Sequence, residues 1–205
     1  MHRLDLKFSG VPLEDAEKAV VMIHGRGGTA EDILSLSEYL SLSDFALVAP
    51  EATGRSWYPN SFLAEVSDNE PWLTSALDII GDTVDVVTKH GIEAENVYFL
   101  GFSQGACLVL EFVARNAKRY GGVVAFTGGL IGEVLRNASY SGDFMGTPFL
   151  LSTGDPDFHV PLSRVKESAK IIKGLNADVT DRVYKHRLHI ISEDEVALAN
   201  SLIFS

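Results

Sequence analysis

Cysteine, basic residues and long apolar runs are all scarce in this sequence of 205 residues. The single cysteine, Cys107, cannot form an intramolecular disulfide or a cysteine-based metal cluster, which fits a reducing compartment. Lys and Arg total 17 against 28 Asp and Glu, and the resulting net charge of −11 disfavours binding to nucleic acid or to an anionic membrane surface. We therefore expect no nucleic-acid partner.

The amino terminus and the apolar segments carry no sign of export or membrane insertion. Residues 1–7 alternate charged residues with leucine and lack the apolar core of a signal peptide. Apolar runs such as 20–23 and 123–126 are short, whereas a bilayer span needs about 18 apolar residues. The sequence therefore predicts a soluble protein without stable membrane insertion, located in the cytoplasm.

What the sequence does contain is an alternation of short β-branched or aromatic segments with longer segments of helical period. This alternation is typical of the α/β class, in which helices cover both faces of a mostly parallel sheet. The length, with 46% apolar and 22% charged residues, indicates a single domain over residues 1–205. The predicted strands are 3–8, 19–24, 46–49, 96–101, 122–127, 148–153 and 178–184. The predicted helices are 33–40, 73–87, 104–116, 162–174 and 193–204.

Glycines and acidic residues mark the ends of several predicted helices. Gly91 and Gly174 stand where a left-handed cap would end the second and the fourth helix. The acidic cluster 192–195 predicts a solvated first turn of the last helix, where the helix dipole favours negative charge. Two long irregular stretches, 51–70 and 131–146, have a length that is often functional in a compact domain.

The strongest local signal is a G-x-S-x-G segment at residues 101–105, directly after an apolar strand and directly before an apolar helix. In this setting the serine lies on a sharp, strained turn, and the flanking glycines avoid collisions with neighbouring backbone. The turn exposes the Ser103 hydroxyl, and the helix adds N–H groups and a partial positive charge. Ser103 is the candidate nucleophile. The alternative is a glycine-flanked serine in an ordinary turn.

A serine nucleophile needs a base to take its proton and a carboxylate to orient that base. In this setting they follow in the order Ser, Asp, His. Asp157 is the favoured acid because it follows strand 148–153, and Asp155 is the alternative, with turn capping as its simpler role. His189 and His186 are the candidates for the base, and spacing alone does not separate them.

Acyl transfer also requires N–H donors for the oxyanion of the tetrahedral intermediate. Gln104, the residue after the nucleophile, supplies one, and we assign the second to the Arg26 N–H in the glycine-rich loop 24–29. Backbone in such a loop approaches a ligand closely, so we expect His24 and Gly25 to contact the substrate. A phosphate-binding loop is the alternative, but neither G-x-G-x-x-G nor Walker spacing is present.

Together these segments resemble the phospholipase/carboxylesterase family of α/β-hydrolases, a small lidless group that includes acyl-protein thioesterases and lysophospholipases. The similarity runs from His24 through the G-x-S-x-G segment and a D-x-x-V-P segment at 157–161 to His189, five residues after Tyr184. In that family the Asp of D-x-x-V-P is the acid and the His five residues after a Tyr is the base. The resemblance therefore implies Asp157 and His189.

The resemblance also implies a fold and an activity. The fold is an α/β-hydrolase without a large cap domain, and the activity is hydrolysis of carboxylic esters through a Ser-His-Asp triad and an acyl-enzyme. Acyl-thioesterase is the alternative activity, and a catalytically silent binding module is a further one. By the same resemblance Trp57 and Tyr58 wall the substrate pocket, although Trp57 could instead only pack on the end of the sheet. The substrate is a small ester or thioester, no cofactor or metal is needed, and a homodimer is an allowed assembly.

Two positions depart from the family pattern. His186 stands where the family has a glycine, which affects the loop that carries the base. Arg26 stands where thioesterases often have a leucine, which places a cation at the edge of the site. With Arg55 in a second loop at the site, Arg26 is expected to attract an anionic group of the substrate.

Overall fold

The predicted mostly parallel sheet is present in the computed structural model, which describes residues 1–205 with the exception of the Asn137 side chain. Its strands are β1 (Leu6–Gly10), β2 (Lys18–Ile23), β3 (Phe45–Pro50), β4 (Val97–Phe102), β5 (Gly122–Phe126), β6 (Pro148–Asp155) and β7 (Asp178–Lys185). The strand order is β1-β3-β2-β4-β5-β6-β7, and only the edge strand β1 runs antiparallel to its neighbour. The predicted α/β class and all seven predicted strands are confirmed.

Helices cover both faces of this sheet. They are α1 (Ala30–Ser35), α2 (Val66–Asn69), α3 (Trp72–Lys89), α4 (Gln104–Arg115), α5 (Leu162–Gly174) and α6 (Glu193–Leu202). Short 3-10 helices occupy Leu36–Tyr39, Thr53–Arg55, Ala94–Asn96 and Asn137–Ser139. In the described chain, the connections between strands carry no additional domain over the carboxyl edge of the sheet. None of the described helices combines the length and apolar character that crossing a bilayer requires.

Two hydrophobic cores lie on opposite faces of the sheet. One is formed with α3, α4 and α5, and the other with α1 and α6. Strand β2 contributes alternately to both, with Val21 and Ile23 in the first core and Val20 and Met22 in the second. All four side chains are completely buried, which explains the unbroken apolar run in the sequence.

Two features predicted at helix ends differ from the structure. Gly91 has a left-handed backbone (φ 90°) after α3, as predicted, but the prediction for Gly174 is wrong, because the left-handed residue after α5 is Asn176 (φ 63°). Asparagine tolerates this conformation better than most residues, so the left-handed turn comes two residues after the end of α5 at Gly174. The solvated first turn predicted at 192–195 is also wrong for Glu195, which is completely buried and accepts a hydrogen bond from the Ser152 hydroxyl.

The start of α4 lies unusually close to the end of β2. A Cβ atom on Gly105 would lie 2.1 Å from the Ile23 carbonyl oxygen, and one on Gly101 would lie 2.5 Å from the Gly105 carbonyl oxygen. Only glycine fits these positions without moving backbone. The contact brings the loop after β2 next to the turn that carries Ser103.

We expect Gly105→Ala to destabilise the protein by about 3 kcal/mol, because its methyl group meets backbone that cannot yield by a rotamer change. Gly174→Ala is the matched control, since no atom lies within 4 Å of the added Cβ. The control should leave the free energy of unfolding unchanged or raise it by up to about 1 kcal/mol. Urea denaturation measures both, and equal stability of the two variants would contradict the close contact.

Candidate active site

The carboxyl edge of the sheet gathers the residues singled out in the sequence. Ser103 follows β4, Asp157 follows β6, His189 follows β7, and the loop with Arg26 follows β2. Parallel strands end at one edge of a sheet, where open α/β folds bind their ligands. Residues that are distant in the chain therefore meet at one place.

The Ser103 backbone is held in a strained conformation, with φ 53° and ψ −117°. Its N–H donates to the Phe126 carbonyl at the end of β5 (3.0 Å), and its carbonyl accepts from the Cys107 N–H in α4 (3.0 Å). A positive φ is uncommon for a residue other than glycine and persists only where the surroundings impose it. Here β5 and α4 hold the turn from both sides.

A chain of hydrogen bonds joins Ser103, His189 and Asp157. The distance from Ser103 Oγ to His189 Nε2 is 2.8 Å, and the distance from His189 Nδ1 to Asp157 Oδ2 is also 2.8 Å. The Asp157 side chain is completely buried, whereas that of His189 is 23% exposed. With the imidazole proton on Nδ1, Nε2 is free to accept the proton of the serine hydroxyl.

The Asp157 carboxylate is held in its charged form by its hydrogen bonds. Burial raises its pKa, but hydrogen bonds from His189 and from the N–H groups of Val160 and His159 lower it, and the net pKa lies below the ordinary value. The two N–H groups donate to Oδ1 at 2.9 and 2.8 Å and leave Oδ2 to His189. The carboxylate can therefore orient the imidazole and stabilise its positive charge.

The alternative residues for the acid and the base, Asp155 and His186, take no part in this series of hydrogen bonds. His186 and Asp155 are both exposed, and the His186 N–H donates to the Asp155 carbonyl (2.9 Å). Among the described residues, neither side chain hydrogen-bonds to Ser103 or His189. His186 adopts a left-handed backbone (φ 58°), so the loop keeps at this position the conformation that glycine adopts most easily.

Two residues close to Ser103 have a backbone N–H group that finds no acceptor in the described part of the protein. Within the described residues, the N–H of Arg26 and the N–H of Gln104, the first residue of α4, donate to no protein atom. The neighbouring Gly27 N–H donates to the Arg55 carbonyl (2.7 Å) and the Gly28 N–H to the Gly25 carbonyl (3.1 Å), which fixes the loop after β2. Both free donors are those assigned from the sequence.

A cavity of about 450 Å³ opens beside Ser103. It is lined by Arg26, Tyr58, Pro59, Asn60, Ser61, Phe62, Ser103, Gln104, Cys107, His159, Val160 and His189. Tyr58 thus takes its expected place, whereas Trp57, His24 and Gly25 are not lining residues. Trp57 is 0% exposed, and its indole N–H donates to the His24 carbonyl (2.9 Å), so this pair supports the cavity wall from inside the protein.

Several residues of the site have no individual signal in the sequence. The wall 59–62 lies in the irregular stretch 51–70, and His159 places its ring 4.9 Å from that of His189. The Gln104 side chain accepts from the Trp57 N–H (3.0 Å) and donates to the Tyr58 carbonyl (2.9 Å). Only the unusual length of the stretch 51–70 could have drawn attention to the wall.

Cys107 forms part of the cavity floor and is a thiol rather than a thiolate. It is almost completely buried, and burial raises the pKa of its thiol to about 12. The Gly129 N–H donates to its sulfur at 3.4 Å. Since the thiolate is the nucleophilic form, Cys107 is not a competitor of Ser103.

The loop that carries His189 closes around the buried side chain of Arg187, which is 6% exposed. Its Nη1 group donates to the carbonyls of Leu188 and Ile190, on either side of His189, and its Nη2 group donates to Thr127 Oγ1 (2.7 Å). Its Nε lies 3.3 Å from a carboxylate oxygen of Glu195. One guanidinium therefore ties the loop to β5 and to α6.

The Glu195 carboxylate is satisfied from three sides. Besides Arg187, it accepts from the Ser152 hydroxyl (2.5 Å) on β6 and from the backbone N–H and hydroxyl of Ser192 (2.9 and 2.8 Å). Burying two charges is costly unless they are paired and hydrogen-bonded. Arg187 and Glu195 are paired with each other, and both form further hydrogen bonds. The ion pair therefore belongs to the scaffold of the His189 loop.

Comparison with known proteins places the chain in a family. Residues 11–204 match the sequence model of the family described as Phospholipase/Carboxylesterase. The chain belongs to this family of hydrolases. The crystal structure of a phospholipase/carboxylesterase from Dyadobacter fermentans DSM 18053 is 54% identical, with a TM-score of 0.98, and the match covers 100% of this chain and 98% of that one. The resemblance stated from the sequence is confirmed, as is the assignment as an enzyme.

Curated relatives are more distant. Acyl-protein thioesterase 1 of Saccharomyces cerevisiae is 26% identical over an alignment 208 positions long that covers 90% of each chain. A probable carboxylesterase SOBER1-like of Arabidopsis thaliana is 28% identical over 133 residues, 65% of this chain. This chain spans only 51% of the length of that relative and 38% of another. The crystal structure of esterase PE8, at 23% identity and a TM-score of 0.82, shares the fold.

We expect Arg187→Met to lower the stability of the hydrolase by about 3 to 5 kcal/mol, because Glu195 is left as an unpaired buried charge. Adding Glu195→Gln should recover most of the stability but not the rate on 4-nitrophenyl esters, since the carbonyls beside His189 still lack their donor. Urea denaturation and steady-state kinetics of both variants measure the two effects. Full recovery of the rate in the double variant would contradict a positioning role of Arg187.

The lowered pKa of Asp157 predicts a pH-dependent contribution to stability. The contribution is present above the ordinary pKa of 3.8 and is lost as the pH falls through the lower pKa of the folded state. Asp157→Asn removes this titration. The stability difference between wild type and variant, measured by urea denaturation, should therefore be constant above about pH 5 and narrow as the pH falls below it. A narrowing of the same size in the exposed control Asp155→Asn would contradict the assignment to Asp157.

Proposed function

We propose that the protein is a serine hydrolase that cleaves carboxylic esters through an acyl-enzyme intermediate, acting as a single domain. The observation that carries the proposal is the unbroken hydrogen-bond chain from Asp157 through His189 to Ser103 beside a cavity. A hydroxyl becomes an effective nucleophile when a base lies within hydrogen-bond distance and is itself oriented by a third group. The hydroxyl, the base and the orienting carboxylate are all present here and are joined by hydrogen bonds.

In the first step, Ser103 Oγ attacks the carbonyl carbon of the ester while His189 Nε2 takes the hydroxyl proton. Asp157 holds the imidazole in the tautomer with the proton on Nδ1 and stabilises the imidazolium. Collapse of the tetrahedral intermediate breaks the bond to the alcohol, which receives the proton from His189. The products of this step are the free alcohol and an acyl group on Ser103.

The oxyanion of this intermediate lies between the N–H groups of Arg26 and Gln104. Both donors lack a protein acceptor among the described residues, and the Gln104 donor stands at the N-terminus of α4, where the helix dipole is positive. Preorganised donors of this kind contribute about 10²- to 10³-fold each to the rate. Because they are backbone groups on braced loops, they need no reorganisation during the reaction.

In the second step, water enters the site and His189 takes one of its protons. The hydroxide attacks the acyl carbonyl, and a second tetrahedral intermediate collapses to release the carboxylic acid and return the proton to Ser103. With no cap domain over the described cavity, water and substrate reach Ser103 directly. No cofactor takes part in the proposed cycle.

Thioesters are the alternative substrates, because the same nucleophile, base and oxyanion donors cleave both bonds. The relative named acyl-protein thioesterase 1 supports this alternative, and a series of esters and thioesters with matched acyl chains distinguishes the two. A cytoplasmic location and a homodimer also stay predictions. Light scattering tests the dimer, and a single species near 22.3 kDa would contradict it.

A fluorophosphonate probe tests the proposed nucleophile without any choice of substrate. We expect one adduct on Ser103 in the wild type, and none in Ser103→Ala or His189→Ala, because the hydroxyl is inert without its base. Peptide mapping by mass spectrometry locates the adduct. On 4-nitrophenyl esters both variants should lose about 10⁴-fold or more in kcat/KM.

His186→Ala is the matched control, since this exposed histidine lies on the same loop. It should label and turn over like the wild type. Absence of labelling in the wild type would favour the silent binding module, and labelling that persists in His189→Ala but not in His186→Ala would make His186 the base.

A further inference from the structure

The cavity beside Ser103 has the opposite charge character to the protein as a whole. The protein has a net charge of −11, yet among the described lining residues there is no aspartate or glutamate. Arg26 is the lining residue with a permanent positive charge, and Tyr58, Phe62 and Val160 supply apolar surface beside it. An anionic ligand therefore meets a local attraction inside a protein that repels it elsewhere.

The Arg26 side chain is fixed in place by neutral groups. Nη1 donates to Ser56 Oγ (2.9 Å) and to the Pro59 carbonyl (3.0 Å), and Nη2 donates to the Asn60 carbonyl (2.8 Å). None of these acceptors carries a charge, so the guanidinium charge is not cancelled. No carboxylate lies within salt-bridge distance of it in the described part of the chain.

The guanidinium keeps donors for a ligand. Three of its five N–H groups are used by the cavity wall, which leaves Nε and one hydrogen of Nη2. Arg26 is an exposed residue, so these groups are accessible. A side chain that is already ordered loses little conformational entropy on binding, which favours recognition of an anion by Arg26.

The neighbouring charges do not offset this attraction. The carboxylate of Asp157 belongs to the same site, but its side chain is completely buried, hydrogen-bonded to His189, and absent from the cavity lining. Arg55, which the sequence suggested as a second cation, is exposed on the adjacent loop and does not line the cavity. Its carbonyl accepts a hydrogen bond from the Gly27 N–H in the loop of Arg26 (2.7 Å).

We propose that the Arg26 guanidinium selects esters or thioesters that carry an anionic group, a carboxylate or a phosphate, in addition to the bond that is cleaved. This inference rests on the proposed function and names a substrate class for the same cavity. Two opposite charges several ångströms apart, at an effective dielectric constant between that of a protein surface and that of water, change kcat/KM by about tenfold.

Matched substrates test the selection on each side of the scissile bond. On the acyl side the pair is mono-4-nitrophenyl adipate and 4-nitrophenyl hexanoate, which differ by a terminal carboxylate. On the alcohol side the pair is 1-butyrylglycerol 3-phosphate and 1-butyrylglycerol. We expect the anionic member of at least one pair to be favoured about tenfold in kcat/KM, and the preference to shrink from about 0.02 M to 0.5 M salt because ions screen exposed charges.

Three variants separate charge from structure, and the readout is the ratio of anionic to neutral kcat/KM rather than the absolute rate. Arg26→Gln should bring the ratio close to one, Arg26→Lys should retain most of it, and the control Arg55→Gln should leave it at the wild-type value. A merely structural role of Arg26 would lower both members of a pair equally and leave the ratio unchanged.

A measurement on the wild type alone tests the selection without depending on whether a variant folds. Adipate should inhibit hydrolysis of 4-nitrophenyl hexanoate competitively and about tenfold more strongly than adipamide. Equal inhibition, or a ratio near one for both ester pairs in the wild type, would overturn the selection of anions while hydrolysis of neutral esters continued. Loss of all hydrolysis together with fluorophosphonate labelling would instead overturn the proposed function.

Discussion

The close contact between Gly105 and the Ile23 carbonyl is the constraint on which the site depends. It places the first turn of α4 against the end of β2, so the turn with Ser103 and the loop with Arg26 become neighbours. Both proposed oxyanion donors follow from this contact, one from each element. A side chain at Gly105 would separate the proposed nucleophile from its proposed second donor as well as disturb the packing. The geometry of the reaction centre is thus set by backbone shape before any functional side chain is considered.

The loop with His189 is held by a different principle. It has no regular secondary structure, and it is ordered by charge, through the buried pair of Arg187 and Glu195. Such a pair is a weak source of stability, because desolvation offsets most of its attraction, but it tolerates few other arrangements. The proposed role of His189 as general base requires specific geometry, since proton transfer depends on hydrogen-bond distance. The protein therefore combines an apolar scaffold under Ser103 with an ionic scaffold under His189.

The sequence was sufficient for the sheet and for most of the helices, because each of these rests on local patterns with a fixed relation to strand ends. Local patterns also singled out Ser103. For the acid and the base they left alternatives open, and the resemblance to the family favoured Asp157 and His189, which the structure joins to Ser103 in one series of hydrogen bonds. The prediction failed where the environment of a residue depends on partners that are distant in the sequence. Glu195 belongs to an acidic cluster of the kind found at solvated helix starts. Its carboxylate is nevertheless buried, where it pairs with Arg187 and accepts a hydrogen bond from the Ser152 hydroxyl of β6. Apart from Tyr58, the wall of the cavity was predicted only as an irregular stretch, because its shape comes from hydrogen bonds between residues distant in the sequence and not from a helical or strand pattern of its own.

The side chain of Gln104 joins two parts of the site that are otherwise separate. Its amide group holds the backbone of Trp57 and Tyr58, while its own backbone N–H is the proposed donor at the nucleophile turn. The width of the cavity and the position of that donor are therefore mechanically coupled. A bulky substrate that pushed the wall outward would pull on the residue that must stabilise the developing negative charge. Under the proposed mechanism, the size of a substrate would therefore affect the chemical step itself, without a moving lid.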